Sequence, residues 1–83
     1  MSVLVDTNVL LRRTQPDHAN HLVAVESIAR LLREGELACV TFQNISEFWN
    51  VATRPIASNG LGFTVDITLA EVQKYRAVPE GPS

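Results

Sequence analysis

Asp6 is the one charged residue within an otherwise mostly apolar run, residues 3–11, near the start of the chain. A run of this kind is typical of a strand that is buried on both faces. An ionised carboxylate in such surroundings is costly unless a cation or several hydrogen-bond donors meet it. Asp6 is therefore a candidate metal ligand. The alternative is that Asp6 ends the strand and caps the next turn, with its side chain accepting from the amides of Asn8 or Val9.

The elements that follow must bring a second functional group to Asp6. Residues 7–13 are compatible with a short turn or helix, and the segment 15–17 breaks it. Asp17 is then placed to cap a long helix that ends before Gly35. Its apolar stripe, at helical spacing, consists of Leu22, Val25, Ile28, Ala29 and Leu32.

A second buried strand is predicted over residues 37–42, which are short and apolar. A strand, a helical crossover and a strand imply two parallel strands that end at the same edge of a sheet. Thr41 or Asn44 can cap the next helix, which Pro55 ends. Because Glu47 lies in that helix, its carboxylate and that of Asp6 are predicted to converge at one sheet edge.

The C-terminal part carries weaker signals. Residues 58–62 form a loop by composition, and Thr68 with Glu71 has the capping-box pattern of a last helix that runs to about Arg76. Asp66 is assigned to the initiation of this helix. We expect one domain over residues 1–78 and a mobile tail over residues 79–83.

Composition indicates one small globular domain, with 83 residues of which 46% are hydrophobic and 19% charged. The net charge of −2 does not indicate a polyanion-binding surface. The single Cys39 cannot form an intrachain disulfide, which suits a reducing cytoplasm. The opening run contains Asp6 and lacks a preceding basic segment, so neither a signal peptide nor a membrane span is expected.

Two segments together resemble a known family. Residues 5–12 read Val-Asp-Thr-Asn-Val-Leu-Leu-Arg, and residues 46–55 read Ser-Glu-Phe-Trp-Asn-Val-Ala-Thr-Arg-Pro. With the helix and strand between them, they resemble the first half of a PIN domain, and most of all the VapC-type toxins. The resemblance implies an α/β fold, a parallel sheet with flanking helices, of which only the N-terminal β-α-β-α-α portion is present.

The resemblance also implies a site. In PIN domains, acidic residues at the strand ends hold Mg²⁺ or Mn²⁺ for RNA cleavage, and Asp6 and Glu47 match two of them. Asn8 and Thr7 would support the acidic cluster, although both could equally satisfy the local turn. The family's later aspartates have no counterpart here, because Asp66 does not occupy the third position.

Other polar residues have competing interpretations. Arg12 and Arg54 are possible RNA contacts, while an arginine that closes a helix is also explained by the helix dipole. His18 and His21 lack zinc-ligand spacing and are interpreted as solvated surface residues. Phe48 and Trp49 are assigned to the core or an interface rather than to base stacking.

The leading hypothesis is the N-terminal part of a Mg²⁺-dependent PIN-type endoribonuclease, the toxin of a toxin–antitoxin pair, with weak or no activity alone. The alternative is a non-enzymatic remnant that binds an antitoxin or associates with itself. In a PIN domain the first strand pairs on both sides, and one of those pairings is absent here. An unpaired apolar edge favours a homodimer, a complementary fragment or marginal folding.

Overall fold

The computed structural model of the protein describes residues 2–79. These residues form three strands and four α-helices. In chain order they are β1 (Ser2–Leu4), α1 (Thr7–Arg13), α2 (His21–Arg33), β2 (Leu37–Thr41), α3 (Phe42–Thr53), α4 (Val65–Val72) and β3 (Arg76–Val78), with a single 3₁₀ turn at Ile56–Ser58.

The strands form one parallel sheet in the order β1, β2, β3. Leu4 is opposite Cys39 across the first pair, and Cys39 is opposite Arg76 across the second. The α/β class and the parallel pairing of the first two strands are confirmed. Within residues 2–79, β1 pairs with β2 alone and so lies at a sheet edge.

The core is built on the central strand, whose residues Ala38, Cys39 and Val40 are all buried. Burial on both faces explains why this strand is uniformly apolar instead of alternating. Helices pack against it, and Phe48 of α3 is fully buried, as predicted. Cys39 is a buried free thiol.

The long helix differs from its prediction in where it begins and in what it buries. It begins at His21 after Asn20, because Asp17 lies in a hydrogen-bonded turn. Its contact with the core runs along Ala24, Ile28 and Leu31. Of the predicted stripe, Ile28 is therefore in the core, while its end members Leu22 and Leu32 are 71% and 59% exposed.

The C-terminal prediction was wrong in its boundaries. The N-cap of α4 is Thr64, whose hydroxyl accepts from Ile67 N at 3.2 Å. Thr68 lies inside the helix, is fully buried, and donates its hydroxyl proton to Thr64 O. Asp66 is in the first turn, as expected for a residue that favours helix initiation. The helix ends at Val72, and the residues expected at its end form β3, which extends the sheet beyond the predicted β-α-β-α-α portion.

The predicted mobile tail lies, apart from Pro79, outside the described residues. Over residues 2–79, no helix has the length and apolarity needed to cross a bilayer.

Candidate active site

Asp6 lies where the first strand gives way to the first helix. β1 ends at Leu4, and Val5 is buried and donates its amide to Cys39 O at 2.8 Å. Asp6 takes the N-cap position of α1 with an extended backbone, and its carbonyl accepts from Val9 N and Leu10 N. Its side chain accepts no capping hydrogen bond. The exposed carboxylate is therefore not used in the way that the capping alternative requires.

Glu47 is placed by an unusually direct connection, because Thr41 is both the last residue of β2 and the N-cap of α3. A capping box begins the helix. The Thr41 hydroxyl accepts from Asn44 N at 3.0 Å, and Thr41 N donates to Asn44 Oδ1 at 3.1 Å. Glu47 lies in the second turn of α3, close to the sheet edge at which β2 ends.

The two carboxylates line the same open cleft. Its volume is about 430 Å³, and it lies at the carboxyl edge of the parallel strands, where α/β sheets bind their ligands. The lining residues are Leu4, Val5, Asp6, Thr41, Gln43, Asn44 and Glu47.

Thr7 connects the two helices beside this cleft. Its hydroxyl donates to Glu47 Oε1 at 3.0 Å, and the side chain of Asn44 donates from Nδ2 to Thr7 Oγ1, also at 3.0 Å. The sequence interpretation gave Asn44 a capping role only and missed this second contact. The three-residue spacing of Asn44 and Glu47, which places both on one face of α3, was the available signal.

Asn8 lies in a different place from the one predicted. It lines a second open cleft of about 440 Å³ between α1 and α2, together with Arg12 and Asn20. Asp6 and Asn8 thus line different clefts, whereas Thr7 and Asn44 are hydrogen-bonded to each other beside Glu47 at the acidic cleft.

The arginines predicted as RNA contacts also lie outside the acidic cleft. Arg12 lines the cleft between α1 and α2, where its Nη1 donates to Gln15 Oε1 at 2.8 Å. Arg54 is exposed at the C-terminal end of α3, seven residues beyond Glu47, or about 10 Å along a helix axis.

The two histidines are half-buried rather than fully solvated. His21 Nδ1 lies 2.9 Å from Arg12 O and donates to it in the Nδ1-protonated tautomer. His18 Nδ1 accepts from the amide of Asn20 at 3.0 Å. Both rings therefore order the connection between α1 and α2.

The donor chemistry of the acidic cleft suits a hard divalent cation. Oxygen atoms from two carboxylates and from neighbouring hydroxyl and amide groups line it. In the part of the chain that the structure describes, no group of three or more His, Cys, Asp or Glu side chains is arranged to hold a metal. The cleft thus offers two carboxylates, and a Mg²⁺ ion held there would have to retain several of its waters.

A separate buried cluster lies around Glu71. Its carboxylate receives Arg13 Nη1 at 2.5 Å, Lys74 Nζ at 2.9 Å and the hydroxyl of Tyr75 at 3.2 Å. Burial acts to raise the pKa of Glu71, but the hydrogen bonds and charges of Lys74 and Arg13 outweigh it, so that this pKa lies below its ordinary value. Burial and the nearby Glu71 carboxylate raise the pKa of Tyr75.

This cluster ties α1 to α4 and to the start of β3, away from the acidic cleft. The sequence interpretation placed Glu71 in a capping box and assigned no contact to Arg13. No spacing signal could have paired them, because they are 58 residues apart.

Comparison of the chain with protein-family models, with curated protein sequences and with solved structures found no match.

Proposed function

We propose that this chain provides the metal-binding part of a Mg²⁺- or Mn²⁺-dependent PIN-type endoribonuclease. The observation that carries the proposal is the shared cleft of Asp6 and Glu47 at the carboxyl edge of the parallel sheet. It is supported by the order of the elements, because β1 and β2 are adjacent and parallel and each is followed by a helix that carries one carboxylate.

Asp6 and Glu47 would hold the cation, and Thr7 would keep Glu47 in place. When bound, the divalent ion supplies Lewis-acid polarisation and neutralises charge on the phosphate. The protein residues orient one another and leave the cleft open to the substrate. Since Mg²⁺ is commonly held by one or two carboxylates together with substrate phosphate, the RNA backbone would complete the coordination.

The charge of the cleft bears on how the proposed RNA substrate would bind. A cleft lined by two carboxylates repels phosphate unless a cation is present, so RNA binding at this place should depend on the metal. Arg12 and Arg54 would contact the RNA only outside the cleft, as extra electrostatic anchors. With two charged ligands, the chain should bind the ion weakly and cleave slowly. The buried free thiol of Cys39 is compatible with a reducing cytoplasm.

Cleavage of a fluorescent single-stranded RNA tests the proposal in Mg²⁺, in Mn²⁺ and in EDTA. Asp6→Asn keeps the size of the side chain and removes its charge, and it should lower the cleavage rate at least tenfold, the scale seen when a metal site is disturbed. Glu26→Gln, on the exposed surface of α2, is the matched control and should cleave like the parent chain. Metal-dependent cleavage that is unaffected by Asp6→Asn would contradict the proposal.

A second function, the binding of an antitoxin or of another copy of the chain, is favoured by the edge strand. Among the described residues no strand pairs with the outer side of β1, and the side chain of Leu4 is 64% exposed. Open apolar edges promote pairing with another chain. Sedimentation equilibrium would show concentration-dependent association that Leu4→Lys weakens. If the parent chain stays monomeric and cleaves RNA, the second function is rejected and only the enzymatic proposal remains.

A further inference from the structure

We propose that Asn44 is a positioning residue, which sets the side chain of Glu47 by ordering the hydroxyl of Thr7. The inference rests on the proposed function in one respect, the role of Glu47 as a metal ligand. The contacts themselves, from Thr41 through Asn44 and Thr7 to Glu47, form a continuous chain of hydrogen bonds beside the acidic cleft.

The carboxamide of Asn44 has only one orientation that satisfies both of its neighbours. Thr41 N is a donor, so the atom that faces it at 3.1 Å must be the carbonyl oxygen Oδ1. The amino group Nδ2 then faces Thr7 Oγ1 at 3.0 Å. A flipped carboxamide would place two donors against each other at the helix cap, so the capping box selects the direction of the bond to Thr7.

The direction of the Thr7 hydroxyl follows from this choice. A hydroxyl has one proton to donate, and its oxygen is engaged as the acceptor from Asn44. Its proton is therefore directed to Glu47 Oε1 at 3.0 Å. Thr7 is also branched at Cβ and lies at the first position of α1, where few side-chain rotamers are allowed.

The consequence concerns the freedom of Glu47. An exposed glutamate on a helix ordinarily samples several rotamers, and holding it in one of them costs side-chain conformational entropy. The bond from Thr7 holds one carboxylate oxygen and leaves Oε2 for a cation. Thr7 directly follows Asp6, so the same turn of backbone that carries one carboxylate orients the other. Asn44 thus connects the cap of α3 with the geometry of the proposed metal site.

Binding of Mn²⁺, followed by electron paramagnetic resonance of the free ion, tests this chain of contacts. Asn44→Ala and Thr7→Val should each raise the dissociation constant of Mn²⁺ about tenfold. Because the two residues act in series, the double variant should be no weaker than the weaker single variant. Thr7→Ser keeps the hydroxyl and should bind within about twofold of the parent chain. Additive losses in the double variant, or a Thr7→Ser as weak as Thr7→Val, would overturn the inference.

Thr41→Ala separates positioning from helix capping. It removes the other hydrogen bond of the capping box and leaves the contact from Asn44 to Thr7 intact. Its effect on Mn²⁺ affinity measures what capping alone contributes, and Asn44→Ala should exceed it about fivefold or more. Equal effects of the two variants would assign Asn44 to capping only.

A measurement without metal makes the inference independent of the proposed function. Side-chain scalar couplings from NMR should show one dominant χ1 rotamer for Glu47 in the metal-free parent chain and in Thr41→Ala, and averaged couplings in Asn44→Ala and Thr7→Val. If the parent chain binds no Mn²⁺ but shows this pattern, the metal-site proposal fails and the positioning role stands. Averaged couplings in the parent chain would refute the positioning role.

Discussion

Thr7 and Glu47, forty residues apart in sequence, are joined by a hydrogen bond of 3.0 Å that runs from the hydroxyl of the first to the carboxylate of the second. The bond crosses from the start of α1 to the second turn of α3, beside the cleft that Asp6 also lines. A contact between two helix starts is possible because both helices follow adjacent parallel strands. The candidate site therefore depends on the pairing of the two strands and not on either segment alone.

Divalent metal should stabilise the folded chain. A ligand that binds only the folded state adds RT ln(1 + [L]/Kd), which is about 1.4 kcal/mol at ten times the dissociation constant. We expect the midpoint of thermal unfolding to rise with Mn²⁺ concentration, and this rise should disappear in Asp6→Asn and Glu47→Gln. NaCl at the same ionic strength is the control for salt effects, and Ca²⁺ is measured beside Mn²⁺ for comparison. An equal rise in Asp6→Asn would place the metal elsewhere.

Removing one partner from the partly buried ion cluster around Glu71 should destabilise the fold. Glu71→Gln leaves Arg13 and Lys74 without their counter-charge, and we expect a loss of about 2–3 kcal/mol, below the range for fully buried pairs because Arg13 and Lys74 retain side-chain exposure of 25% and 52%. Lys74→Ala, which removes only the more exposed partner, should cost less than about 1 kcal/mol. Urea denaturation measures both values. If Glu71→Gln leaves the free energy of unfolding unchanged, the cluster adds no stability.

The same carboxylate predicts acid sensitivity. The pKa of Glu71 in the folded chain is below its ordinary value of 4.5, so the unfolded chain binds the proton more readily. The stabilisation is complete above the ordinary value and is lost as the pH falls through the folded value. Urea denaturation at several pH values between about 7 and about 3 should show this decline, and Glu71→Gln should flatten it. A variant with the same acid slope as the parent would assign the decline to other carboxylates.

Gly60 should be the least replaceable glycine of the described chain. A methyl group there would lie 2.1 Å from the carbonyl oxygen of Arg54, inside the tight turn in which Gly60 N donates to Pro55 O. We expect Gly60→Ala to cost more than about 2 kcal/mol, since backbone atoms must move. Gly35→Ala is the matched comparison, because Gly35 has a positive φ of 75° but open space around it. Its cost should be about 1–2 kcal/mol, from conformation alone. The free energies of unfolding from urea titrations decide the order.

Local signals explain which parts of the fold were predictable. β2 is a short apolar run bounded by polar residues, and Thr41 and Asn44 are both residue types that cap helices, so the strand and two alternative caps could be identified from sequence. β3 has no such signal in its three residues. Its strand conformation comes from pairing with β2, where Cys39 is opposite Arg76. Thr68 and Glu71 matched a capping pattern, but burial of both placed them inside the helix instead.

The candidate site was predictable to a similar extent. The convergence of Asp6 and Glu47 follows from the order of two parallel strands and two helices. The position of Asn8 depends on how α1 is rotated about its axis. That rotation is set by the packing of Leu10 and Leu11 into the core, which no motif encodes. Asn8 therefore lines the cleft between α1 and α2, while Asn44 of α3 lines the acidic cleft.

No linker separates β2 from α3. The register of β2 against β1 therefore sets where α3 begins, and with it the distance between the carboxylates of Asp6 and Glu47. A slip of β2 by one residue would move the start of α3 by about 3.3 Å relative to β1 and reverse which side chains face the core. Oxygen atoms around Mg²⁺ lie about 2.1 Å from the ion, so such a slip exceeds the tolerance of the site. For the metal site that we propose, correct alignment of β1 and β2 is thus a condition of binding, and misaligned molecules should fail to bind metal.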